Sequence, residues 1–228
     1  MPDDTDRTFR NFMPPSAIVY DCEFLAVEGS PRRFWCAPHD PDPVIVQIGA
    51  VRLPLDGDPD LSETFRAHIL PKGREGESLT LSPFFEDLTG ITNKTLEAEG
   101  APLAEALREF DDFSRGAPLW SWGKDEFNMI AISCYVQGLT PPLPIKRFGN
   151  ACSLFLRAGV PQRDVDRMRS NTVADDLGIE HPPLQAHDAL DDALSVAYAL
   201  QQFLRGGRLS VSDFVAGRTD SAVVTADA

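Results

Sequence analysis

The stretch Ala17-Ile18-Val19-Tyr20-Asp21-Cys22-Glu23-Phe24 constrains the fold of this chain more than any other. Its first half is β-branched and aromatic, the composition of a buried strand. Strand side chains alternate faces, so Asp21 and Glu23 share one face while Cys22 takes the other. Two carboxylates at i and i+2, on the end of an otherwise apolar strand, repel each other unless a cation or a proton lies between them. Either the strand ends in a charged site, since local conflicts of this kind mark function, or both acids belong to a loop that follows it.

The rest of the chain suits a mixed sheet flanked by helices, an α/β fold. Residues 44–53 read as a strong strand, 54–59 as a turn and 63–70 as a third strand pairing back, which makes an antiparallel meander. The loop 25–43 between the first two strands carries Arg32, Arg33, Phe34 and Trp35. These four form the most cationic and aromatic cluster in the chain, either a binding surface or a solvated loop with one aromatic anchor. Ser82 caps a short helix with Pro83 at its first position, and a second short helix begins at Thr92. An amphipathic helix follows over 102–113, then a strand over 118–123 that runs into a tight turn, then helical spacing over 126–136. Short helices are expected over 153–158 and 172–177. The last helix runs from Asp188, its N-cap, to about Leu204, through Leu190, Ala193, Leu194, Ala197 and Leu200. His187 sits just before it, Asp192 falls at the edge of the apolar arc, and Asp188 and Asp191 are expected to face water.

Composition narrows the function. With 21 Lys and Arg against 35 Asp and Glu the net charge is −14, which argues against broad adhesion to DNA through phosphate neutralisation. A small site gripping a chain end is still compatible with that charge, the more so if carboxylates hold cations. Cys22, Cys36, Cys134 and Cys152 form no CxxC pair, so neither a zinc ribbon nor a disulfide framework is expected, and Cys36 with His39 is too few ligands for structural zinc. No apolar run approaches the roughly 20 residues of a membrane span, and the acidic start lacks the regions of a signal peptide. No membrane association and a cytoplasmic location are the resulting expectations. The length suits one domain, 15–206, after an N-terminal arm over 1–14 and before a weakly ordered tail or docked turn over 207–228.

Taken in order, the motifs resemble those of the DnaQ-like, DEDDh 3′-5′ exonucleases, over roughly residues 17–204. The first is Asp21-Cys22-Glu23. A strand of Ile-Gly-Ala-Val type follows at Gln47-Ile48-Gly49-Ala50-Val51, then Leu88-Thr89-Gly90-Ile91-Thr92, and finally His187-Asp188-Ala189-Leu190-Asp191-Asp192. The resemblance implies a ribonuclease H-like, mixed five-stranded sheet with helices around it. It also implies metal-dependent release of nucleoside 5′-monophosphates from the 3′ end of single-stranded or frayed DNA or RNA. Two ions, Mg²⁺ or Mn²⁺, would be held by Asp21, Glu23, Asp192 and a second-motif acid, with His187 as general base. That second acid is Asp125 by residue type and Glu126 by register; Asp125 can equally be a helix N-cap. Phe24 and Leu25 fall where the family stacks on the terminal base, or they pack in the core, and Gly90 and Thr92 fall where it approaches the substrate backbone. Nucleic acid is therefore the expected partner of a monomer or homodimer. The rival reading is a catalytically inactive binding or scaffolding module of the same fold.

Overall fold

A computed structural model describes residues 13–35, 37–56 and 60–215. The reading of Cys36, residues 57–59 of the 54–59 turn and the outer parts of both terminal segments lie outside them. Five strands form one sheet in the order β3-β2-β1-β4-β5. The first, β1 (Ser16–Phe24), pairs antiparallel with β2 (Ile45–Pro54), which pairs antiparallel with β3 (Thr64–His68). On the other side β1 pairs in parallel with β4 (Leu119–Ser121), and β4 in parallel with β5 (Phe148–Asn150). The antiparallel meander is the one expected. The three-residue β5 has no alternating apolar pattern of its own and was not foreseen from its residues.

Helices cover both faces of the sheet. After α1 (Pro83–Thr89) and α2 (Asn93–Glu99) come α3 (Leu103–Ser114) and α4 (Asp125–Val136). Then follow α5 (Ala151–Arg157), α6 (Gln162–Val165), α7 (Val173–Asp176) and the long α8 (Ala189–Arg205). The alternation of β1 divides the core: Ala17 and Val19 pack with α8 and α5, whereas Ile18, Tyr20 and Cys22 pack with α3 and α4. Asp21 and Glu23 extend the Ala17–Val19 side, so the strand's own pleat aims them at α8.

The start of α8 lies almost in contact with the sheet. Gly49 faces Asp21 across the β1–β2 ladder, and a Cβ on it would stand 2.0 Å from the Leu190 amide nitrogen. Only glycine lets the first turn of the helix come that near the strand. Beyond α8, a single 3₁₀ turn over Val211–Phe214 packs Phe214 into the core, with its ring edge-on to Trp120. The start of the expected tail is thus docked. Among the described residues no helix is long and apolar enough to cross a membrane.

Candidate active site

Asp21 and Glu23 close β1, Glu126 lies in the first turn of α4 and Asp192 in the first turn of α8. All four are buried, at 5, 9, 7 and 4% exposure. Burial is the first cause that pushes each carboxyl above its usual range, and the neighbouring acids add to it. Glu126 and Asp192 both rise to about 7. The backbone N–H of His187 restrains the rise at Asp192; at Glu126 its own backbone N–H, then the Ser121 hydroxyl and Asp21, do so. A carboxylate group this crowded and dry is unfavourable without positive charge in its midst.

The donor set tells what charge it suits. Ligand atoms of Glu23, His187 and Asp192 lie within 4.8 Å of one another, and the Oε2 atom of Glu126 is buried without a hydrogen-bond partner. Hard carboxylate oxygens with an unspent acceptor fit Mg²⁺ or Mn²⁺.

Glu126 and Asp125 part company here. Glu126 is buried among the acids, whereas Asp125 is exposed at the start of α4. Asp125 is not the cap either, for Lys124 holds that position. The register of the apolar residues after the acid points to Glu126, the residue that is buried, and residue type to Asp125, which is not; the sequence left the two open.

His187 is half-buried, and burial lowers its pKa below the ordinary imidazole value. Its backbone is left-handed, with φ 62°, a conformation histidine tolerates better than most residues but one that needs external support. That support comes from residues which motif reading did not assign to the site. Gln47, 1% exposed on β2, accepts from the Ala189 N–H at 2.8 Å and donates to Asp188 at 3.2 Å. Arg66 on β3 binds the other Asp188 oxygen at 2.6 Å, and Asp188 also accepts from the Leu190 and Asp191 amides as the predicted N-cap. Asp191 accepts from the Gln185 N–H at 2.7 Å. Asp188 and Asp191 therefore do not simply face water: they tie the approach to α8 down, Asp188 through Gln47 on β2 and Arg66 on β3, and Asp191 through the Gln185 N–H.

The expected substrate contacts divide. Phe24 is half-buried with its ring 5.2 Å from that of Trp35. Leu25, 4% exposed, packs with Val44, Leu81 and Phe85 and so belongs to the core. The Thr92 hydroxyl caps α2 by accepting from the Thr95 N–H. Gly90 is exposed at φ 74°, beside the Gln185 side chain on the approach to His187. Arg33 of the basic loop is bound by Asp40 and by the Glu28 carbonyl, and Phe34 is 80% exposed.

No model of a known protein family matches the sequence, and no curated protein is significantly similar to it. Solved structures do match. Over 85% of this chain and 94% of the other, it is similar to the nuclease domain of 3′hExo, a DEDDh family member bound to rAMP, with TM-score 0.69 and 20% identity. The chain has the fold of that nuclease domain. A 3′-exonuclease in a structure of 3′-end specific recognition of histone mRNA stem-loop matches at TM-score 0.68 and 21% identity, over 86% of this chain and 67% of that one. The zinc-bound E. coli ExoI–ssDNA complex matches at 0.58 and 16%, over 88% of this chain but 42% of that one. At these identities what is shared is the fold, a mixed five-stranded sheet flanked by helices.

Proposed function

We propose that this protein is a divalent-metal-dependent 3′-5′ exonuclease that removes nucleotides one at a time from single-stranded or frayed ends of DNA or RNA and releases nucleoside 5′-monophosphates. The observation that carries the reading is the meeting of four buried acids and one histidine, drawn from β1, α4 and α8, on this fold. Asp21, Glu23, Asp192 and Glu126 would hold the ions. Bound there, two Mg²⁺ or Mn²⁺ ions would neutralise the phosphate and stabilise the attacking and leaving oxygens of an in-line displacement.

The chain's own residues supply the rest. Near neutral pH the lowered His187 is unprotonated, so a free ring nitrogen can take the proton from the attacking water. The buried floor excludes bulk water and strengthens every charge interaction above it. Phe24, supported by Trp35, offers a ring to the terminal base, and base stacking tolerates any sequence.

The test is the product pattern from 5′-labelled single-stranded RNA and DNA with Mn²⁺. A ladder shortening from the 3′ end, lost in His187→Ala, is the expected result. Absence of metal-dependent products from either polymer would sink the reading.

A further inference from the structure

The ladder that carries the acids continues across the sheet. Glu23 on β1 stands opposite Gln47 on β2, and Gln47 stands opposite His68 on β3; Asp21, Gly49 and Arg66 form the neighbouring row. Residues paired across a ladder share a face. His68 and Arg66 therefore lie on the α8 side of the sheet, while Phe65 and Ala67 pack into the core on the α3 side. Arg66 reaches Asp188 directly. His68 reaches it only through Gln47.

The His68 side chain is 13% exposed and sits between two partners. Its Nδ1 lies 3.0 Å from a Glu99 carboxylate oxygen at the end of α2, and its Nε2 lies 3.3 Å from the Gln47 amide nitrogen. The orientation of that amide is set by groups that cannot change roles. The Ala189 N–H can only donate, so it meets the Gln47 oxygen, and the Asp188 carboxylate accepts, so it meets the NH₂. His68 must then accept at Nε2 and carry its proton on Nδ1, where Glu99 receives it. Backbone bonds hold the end of α2 to β3 beside this pair: the Ala101 N–H donates to the His68 carbonyl and the Leu70 N–H to the Ala101 carbonyl, both at 2.9 Å. The two bonds from the Gln47 NH₂, at 3.2 and 3.3 Å, are long. The group is poised between two acceptors, and losing one lets it swing towards the other. That swing draws its oxygen off the Ala189 N–H, the first amide of α8.

We propose that His68 is a positioning residue of the site: with its proton held on Nδ1 by Glu99, it fixes the Gln47 amide and, through it, the start of α8 between His187 and Asp192. Its effect on rate rests on the exonuclease reading; the chain of hydrogen bonds does not. The support of the site thus extends beyond β2 to the outer strand and to α2, the helix that follows the Gly90–Thr92 turn.

The experiment uses the full-length protein on a 5′-labelled single-stranded oligonucleotide with Mn²⁺. His68→Leu removes the acceptor and should lower kcat about tenfold with KM within about twofold, the size expected when a buried amide loses one partner. His68→Gln places an amide oxygen near where Nε2 stood and should recover most of that loss, a rescue that a merely structural histidine would not show. In a Gln47→Ala background His68→Leu should cost nothing further, because the residue acts through that amide. An unchanged kcat in His68→Leu, no recovery in His68→Gln, or an equal loss in both backgrounds would overturn the assignment. If no protein cleaves the substrate, the exonuclease reading fails separately, and nuclear magnetic resonance decides the hydrogen-bond chain. The sequence has only 4 histidines, so the His68 ring signals are identified by their loss in His68→Leu. They should show a proton on Nδ1 and a bare Nε2 at neutral pH, and the Ala189 amide signal should move in His68→Leu and return in His68→Gln. A proton on Nε2, or an Ala189 signal that His68→Leu leaves in place, would sink the proposal.

Discussion

Glu126 differs from the aspartate expected by residue type only by one methylene, yet it is the acid that reaches inward, while Asp125 beside it stays in solvent. Glu126→Ala should therefore abolish metal-dependent cleavage and Asp125→Ala should leave it within a few-fold, both read from initial rates with Mn²⁺. His187→Ala should lower kcat by about 10²–10⁴, the usual worth of a positioned base. Because burial depresses the His187 pKa, its unprotonated form persists to lower pH than that of an ordinary imidazole. Asp125 and Glu126 could not be separated by type, since either can start a helix; the difference of about 100° around the helix axis separates them.

At the scale of the element, the site depends on how α8 is seated. Gly49→Ala would drive a methyl into the Ala189–Leu190 backbone, and overpacking of this kind costs about 1–3 kcal/mol or more. It should lower the melting temperature, and it should lower activity further than the stability loss explains, because Asp192 and His187 move with the helix start. Gln47→Ala removes the partner of the Ala189 N–H and leaves that buried donor unsatisfied, a loss of about 1–3 kcal/mol. Its expected signature is a kcat decrease with little change in KM; a change confined to KM would mean that Gln47 acts on substrate instead. The Gln-Ile-Gly stretch was visible as a motif, but its reason, a strand that must accept a helix end at contact distance, exists only between two elements about 140 residues apart.

For the whole molecule, the crowded acids tie stability to metal and to pH. Asp21, Glu23, Glu126 and Asp192 all have raised folded-state values, so without metal the folded protein binds more protons than the unfolded chain. Their stabilising contribution is complete below the ordinary carboxylate value near 4 and falls as pH rises, that of Glu126 and Asp192 being lost as pH passes through about 7. Thermal melts in chelator should show the melting temperature falling across that window. Saturating Mn²⁺ at pH 7 should restore it, by about 2.7 kcal/mol at a hundredfold excess over Kd, in the wild type and not in Asp21→Ala. A chelated protein whose stability rises steadily from pH 4 to 7 would contradict this account of the acid cluster.

Much of this architecture was legible in local chemistry. The β-branched run of β1 with its paired acids, the Ser82 and Asp188 caps, the meander and the amphipathic faces of α3 and α8 all follow from the character and spacing of neighbouring residues. Short-range propensity and periodicity act within about a dozen residues, and there the sequence by itself was sufficient. It could not reveal the brief β5, which is a strand only because β4 offers it hydrogen bonds. Nor could it show Leu25 as core, Asp188 bound by Arg66, or the docking of Phe214. The burial of Glu126 and the left-handed support of His187 were likewise decided by tertiary structure. Burial and hydrogen-bond partnership belong to surfaces that meet only when distant segments pack, and no single segment carries the record of what it will meet.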